Sequence, residues 1–147
     1  MIDIINIDEE VGRTYILDGL EIIYDEQLDT YNDPVEGIEA IQSDRYKILL
    51  LDIMMPWRDH YDVFKSPRIP VDPYLTGIHI LCHIRKTLGY DSDKLRVIIL
   101  SGRSKEIIDK YIDDDWMYDA YFRKGSHGSL APQVLMNLIN DQRKLLK

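Results

Sequence analysis

The stretch from Ile48 to Met55 constrains this chain more than any other, because it is apolar throughout except for Asp52. It is far too short to cross a bilayer. A run such as Lys47 to Leu51, apolar after its first residue, suits a strand buried on both faces of a parallel sheet. A parallel sheet needs crossover helices, so the rest of the chain must alternate short apolar runs with longer amphipathic ones. In a sheet of that kind ligands bind beyond the carboxyl ends of the strands. Asp52 stands at such an end.

The alternation is present. Strands are predicted at Ile2 to Ile7, around Gln27 to Tyr31, at Lys47 to Leu51, at Arg96 to Leu100 and at Tyr118 to Phe122. A 3.6-residue recurrence marks a first helix through Val11, Tyr15, Ile16, Leu20 and Ile23. Asp33-Pro34-Val35-Glu36 starts a second, with a capping acid, a proline at the first helical position and a glutamate at capping-box spacing. Ile80, Leu81, Ile84 and Leu88 give the third, with Arg85 and Lys86 near its end and Gly89 as its stop. Ile107, Ile108, Tyr111 and Ile112 give the fourth, capped by Ser104, and Val134, Leu135, Leu138 and Ile139 the last. The predicted fold is α/β: a doubly wound five-stranded parallel sheet with five helices.

Composition narrows the function. A chain of 147 residues with 45% apolar side chains forms one domain with a proper core. Its 26 acids against 18 basic residues give a net charge of −8, which disfavours direct nucleic-acid binding. The single cysteine, Cys82, reads as a buried structural thiol and suits a reducing compartment. The N-terminus carries no signal-peptide pattern, so a cytoplasmic protein with no membrane association is expected.

Four strand ends carry polar groups. Asp8 and Glu9 follow Ile7, Asp52 follows Leu51, Ser101 follows Leu100, and Lys124 comes just after Phe122. The fold gathers them at one rim. Clustered carboxylates demand a cation, and an oxygen-only set of this size favours Mg2+. A carboxylate can also be a nucleophile that forms an acyl phosphate. Taken singly, each residue has a plainer reading: a helix cap for Asp8 or Glu9, a turn for Ser101, a solvated lysine for Lys124. Their joint placement is what argues for chemistry.

Asp8-Glu9, Asp52-Ile53-Met54-Met55-Pro56, Ser101-Gly102 and Lys124 resemble, in order and placement, the signature of response-regulator receiver domains. The resemblance runs from about residue 2 to the C-terminus and implies a flavodoxin-like sheet of strand order 2-1-3-4-5. It implies that Asp52 accepts phosphate from a sensor histidine kinase or phosphotransfer protein. It implies Mg2+ held by Asp8, Glu9, Asp52 and the Met54 backbone carbonyl. Lys124 and Ser101 would bind the phosphoryl group, and Tyr121 would be the switch aromatic. The output would be a downstream protein bound through the fourth helix, fifth strand and fifth helix, a face that also admits a homodimer. Met54 and Arg103, at the positions that influence attacking water in this family, imply a long-lived phosphoform.

Three departures stand out. Glu9 occupies a position where the family more often has Asp, and Gly125 follows Lys124 where it usually has proline. The third is an insertion from Trp57 to Leu75, rich in aromatics and with Pro67, Pro70 and Pro73, which predicts an extended, stiffened loop. Asp59, His60 and Asp62 within it form a weaker metal candidate. The expectation is one receiver domain over residues 1–147, signalling by protein binding and not an enzyme in its own right. Its rivals are a pseudo-receiver that serves only as a binding module and an aspartyl-nucleophile phosphatase.

Overall fold

The computed structural model describes residues 2–9, 15–112, 114 and 117–146. Its sheet has five parallel strands in the order β2-β1-β3-β4-β5. The strands are β1 (Ile4–Ile7), β2 (Asp29–Tyr31), β3 (Ile48–Asp52), β4 (Arg96–Ser101) and β5 (Ala120–Arg123). The helices between and after them are α1 (Tyr15–Tyr24), α2 (Pro34–Ile41), α3 (Thr76–Cys82), α4 (Lys105–Asp109) and α5 (Ala131–Leu145). Val11, assigned to the first helix by its spacing, lies outside the described residues, as do Asp113 and Asp115.

Period-two alternation sorts the strand side chains into two cores. Ile5, Ile7, Leu49, Leu51, Val97 and Ile99 pack with α2, α3 and α4 residues such as Ile38, Ile78 and Ile108. Ile4, Ile48, Leu50, Ile98, Leu100 and Phe122 pack with Leu17 and Leu20 of α1 and with Leu135 and Ile139 of α5. Every residue of β1 and β3 is buried, which is why β3 reads as continuous apolar sequence. The second strand, the faintest in sequence, is a three-residue edge strand that is not fully buried on either face.

Helix starts follow their sequence signals unevenly. Asp33 caps α2, accepting from the Val35 amide at 3.1 Å. Ser104 precedes α4 but makes no capping hydrogen bond, and α4 lasts only five residues. Tyr111 and Ile112 continue it as tight turns, through amide bonds to the Ile108 and Asp109 carbonyls. Ile107 is left 43% exposed, so the predicted apolar stripe is only half used.

The helix predicted through Leu88 also departs from regularity. After Cys82 it widens into a π turn over His83–Thr87, with the Leu88 amide bonded to the His83 carbonyl. The widening turns Arg85 inward. Arg85, predicted only as a basic residue near the helix end, is 2% exposed and lies in the core. Cys82, expected to be buried, is half-buried.

The 57–75 insertion is more ordered than an extended loop. Asp59–Phe64 forms a 3-10 turn, and the proline-bearing half that follows contains no helix until Thr76. Tyr61 and Phe64 are 1% and 2% exposed and belong to the same core as β3 and α3. Burial of two such rings contributes about 1.5–3 kcal/mol each to holding the segment down. His79 of α3 fastens its far end, accepting from the Ser66 amide at 2.9 Å and donating to the Pro70 carbonyl at 3.0 Å.

Candidate functional site

Asp52 is the last residue of β3, and Ser101 the last of β4. Asp8 and Lys124 come directly after β1 and β5. The parallel register brings these ends to one edge: Asp52 pairs with Leu100, and Ser101 with Arg123. The predicted rim therefore exists, and its polar groups are withdrawn from solvent. Asp52 is 3% exposed, Asp8 5% and Ser101 0%.

Lys124 links the two acids. Its Nζ lies 3.3 Å from Asp52 Oδ2 and 4.0 Å from Asp8 Oδ2. The Lys124 amide bonds the Ser101 carbonyl at 2.8 Å, which fixes the start of the turn beneath the ammonium. Gly125 then takes a left-handed φ of +83°, a conformation that glycine adopts without strain. The turn that the family builds on proline is here built on glycine.

Burial and the neighbouring Asp8 push the Asp52 carboxyl up to about 7, with Lys124 pulling the other way. One lysine does not neutralise two buried acids. Asp52 Oδ1 accepts from the Met54 amide at 3.2 Å, which orients the carboxylate along the loop after β3. That loop is clamped from α3: the Gly77 amide bonds the Ile53 carbonyl at 2.9 Å, and Thr76 Oγ1 bonds the Met55 carbonyl at 2.5 Å. A Cβ on Gly77 would meet the Asp52 carbonyl at 2.4 Å, so the approach requires glycine.

Ser101 Oγ accepts from the Arg103 amide at 3.0 Å. The Tyr121 hydroxyl is buried with no hydrogen-bond partner among the described residues, and burial raises its pKa. An orphaned phenol behind Ser101 is a buried donor in want of an acceptor, so the predicted switch aromatic is turned inward.

Glu9 does not join this group. Its carboxylate is held by the Arg58 guanidinium and accepts from the Tyr61 hydroxyl at 2.8 Å. Among the described residues no three His, Cys, Asp or Glu side chains come together as a metal cage. Asp8 and Asp52 still suit a divalent cation, since two adjacent buried acids need more positive charge than Lys124 supplies. The weaker metal candidate dissolves: His60 faces Asp33 at 3.2 Å, and Asp59 and Asp62 are exposed on the 3-10 turn.

Two features escaped the sequence reading. The insertion reaches the rim from both sides, through Arg58 and Tyr61 at Glu9 and through Tyr74, whose ring lies 4.0 Å below the Arg103 guanidinium. Such pairs leave no trace in local periodicity. Asn6, by contrast, was visible as the one polar residue in Ile4–Ile7. Its amide is fully buried without a hydrogen-bond partner among the described residues.

No family model matches the sequence, and no curated protein is significantly similar to it. Solved structures do match. The isolated receiver domain of RcsB from Salmonella enterica serovar Typhimurium, determined with a beryllofluoride phosphomimetic, aligns at 17% identity over 99% of both chains, with a TM-score of 0.64. The response regulator TrrA from Thermotoga maritima, in complex with Mg2+ and beryllofluoride, aligns at 19% identity over 97% of this chain and 99% of that one, TM-score 0.59. A CheY-like receiver domain protein from Methanospirillum hungatei gives 18% identity, 96% and 95% coverage and a TM-score of 0.57. The chain has a receiver-domain fold. The receiver fold places Asp52, Asp8, Ser101 and Lys124 at the edge where strand ends converge, and its strand order 2-1-3-4-5 is the one the resemblance implied. Among the described residues no helix is long and apolar enough to cross a membrane.

Proposed function

We propose that this chain is a phosphoacceptor receiver of a two-component or phosphorelay system, phosphorylated on Asp52. The observation that carries the reading is the buried Asp52–Lys124–Asp8 cluster at the carboxyl edge of the central strand. A desolvated carboxylate with a raised pKa is a stronger base and nucleophile than a solvated one. The Asp52 carboxylate attacks the phosphorus of a phosphohistidine, the P–N bond breaks, and the imidazole, already carrying a proton on its other ring nitrogen, leaves as the neutral ring. Lys124 neutralises charge on the transferring group, and Ser101 exchanges its Arg103 amide bond for a phosphoryl oxygen. Tyr121, already inward, fills the space behind Ser101.

Mg2+ would be held by Asp8, Asp52 and the Met54 carbonyl, with Glu9 once it is released from Arg58. When bound, the ion supplies the charge that two buried acids and an incoming phosphoryl group require. A sensor kinase or phosphotransfer protein is the donor, and a protein target reads the altered surface of α4, β5 and α5. The chain catalyses only its own phosphorylation and hydrolysis. Met54 has no strong hydrogen-bonding group, and Arg103 is stacked on Tyr74, so neither is placed to orient attacking water. The phosphoform is therefore long-lived.

Incubation with Mg2+ and a small phosphodonor, read by intact mass, tests this. One phosphoryl adduct is expected on the wild type and none on Asp52→Ala. An adduct that survives the substitution contradicts the proposal. A second reading, a pseudo-receiver that binds partners without phosphorylation, draws on one observation: Glu9 is occupied by Arg58 and Tyr61. Absence of the adduct in wild type favours it.

A further inference from the structure

The engagement of Glu9 is a built contact. Trp57 stands at the base of the insertion with ring centroids 5.8 Å from Tyr61, 5.7 Å from Phe64 and 4.8 Å from His79. Tyr61 and Phe64 are themselves 5.1 Å apart and buried. This aromatic platform fixes the 3-10 turn against α3. The turn then presents the Arg58 guanidinium and the Tyr61 hydroxyl together to Glu9. Glu9 is the carboxylate next in sequence to Asp8, and its side chain is only 12% exposed. A monovalent cation from the insertion thus sits beside the Asp8–Asp52 rim, on the carboxylate next to it in sequence.

We propose that the 57–64 segment is a latch in competition with the divalent cation: Arg58 and Tyr61 withhold Glu9 from the Asp8–Asp52 site, and cation binding there releases them. The inference rests on the reading that Asp8 and Asp52 take a divalent cation. A carboxylate cannot give its full charge to two cations at once, so whatever strengthens one contact weakens the other. Arg58 is 54% exposed and leaves the contact without disturbing the core. Removing it weakens the latch and strengthens Mg2+ binding. Because coupling of this kind is reciprocal, Mg2+ must loosen the segment that carries Trp57.

Mg2+ titration of the full chain by calorimetry tests the latch. Arg58→Ala is expected to tighten Mg2+ binding about five- to tenfold and Tyr61→Phe about threefold, as hydrogen bonds to a charged partner are lost. Arg68→Ala, which removes an exposed arginine elsewhere in the insertion, leaves the affinity unchanged. With 5-fluorotryptophan label, the Trp57 fluorine resonance shifts on Mg2+ addition in wild type and much less in Arg58→Ala. Mg2+ affinity that is equal or weaker in both Arg58→Ala and Tyr61→Phe overturns the latch while leaving the receiver reading intact. If no form binds Mg2+ and Asp52 takes no phosphoryl group, both fall together.

Discussion

At the amino-terminal edge of β4, Arg85 donates to the Met117, Tyr90 and Leu95 carbonyls at 2.8, 2.9 and 2.6 Å and to Asp119 Oδ2 at 2.8 Å. Asp119 also accepts from Ser92 Oγ at 2.6 Å and the Val97 amide at 2.8 Å. At the carboxyl edge of the same sheet, Asp52 and Asp8 share Lys124, and the Tyr121 hydroxyl has no hydrogen-bond partner among the described residues. Both ends bury charge. The first is matched donor for acceptor, so it fixes the π turn, the start of β4 and the start of β5 in one arrangement. The second sets two neighbouring buried acids against each other around Lys124, which makes the rim responsive to a cation or a phosphoryl group.

The largest predicted effect breaks the satisfied end. Arg85→Met takes from Asp119 the nearer of its two cations, leaving Arg96 Nε at 3.6 Å, and is expected to cost about 3 kcal/mol of stability. Urea unfolding measures it. Arg85→Met with Asp119→Leu should lose less than the two single changes added together, since the double variant removes both members of the buried pair at once. Strict additivity would show that the pair is not coupled.

The rim should behave in the opposite sense. With the folded carboxyl of Asp52 at about 7 and its ordinary value at 3.8, the native state holds a proton that the unfolded chain has lost between those limits. Stability from this group is fully present below pH 3.8 and is lost as pH rises through about 7. Asp52→Asn removes that loss. In the absence of divalent cations the variant is predicted to be more stable than wild type at pH 8 by about 2–4 kcal/mol, and indistinguishable near pH 4. Equal stability at pH 8 would show that the rim is better compensated than its geometry indicates.

Packing sharpens the same contrast. Gly77→Ala places a methyl 2.4 Å from the Asp52 carbonyl and 2.5 Å from Ile53 Cα, both of them backbone atoms. The expected loss is about 1–3 kcal/mol, with slower phosphorylation of Asp52, because the change displaces the loop that aims the carboxylate. Phosphorylation at the wild-type rate would separate the α3 packing from the chemistry of the rim.

What the sequence disclosed follows from the range of the interactions involved. β1, β3 and β4 were readable because burial on both faces writes itself into consecutive residues. Asp8, Asp52, Ser101 and Lys124 were readable because each terminates a strand or lies just beyond one, and the topology does the gathering. Arg85 and Asp119 are 34 residues apart, and Glu9 and Arg58 are 49 apart, so no periodicity joins them. Arg85 carried a misleading local signal, since a basic residue in a last helical turn ordinarily faces solvent. The insertion was visible by its length, but its order comes from aromatic burial and from His79, which lies beyond the segment in α3.

His79 supplies the smallest and most selective test. It is fully buried and neutral, with Nδ1 accepting from Ser66 and Nε2 donating to Pro70, and burial lowers its pKa from 6.5. The unfolded chain therefore takes up a proton near pH 6.5 that the native state refuses. Its contribution to stability is complete above that value and is lost as pH falls below it. This slope opposes that of Asp52, so wild type conceals it. In an Asp52→Asn background stability should fall by about 1 kcal/mol between pH 7 and pH 5. Adding His79→Gln, which does not titrate, should flatten most of that decline. The half-buried His83, also held below its ordinary value by burial, accounts for the remainder. A decline unchanged by His79→Gln would mean that the insertion is fastened by its aromatic rings alone, without the histidine between Ser66 and Pro70.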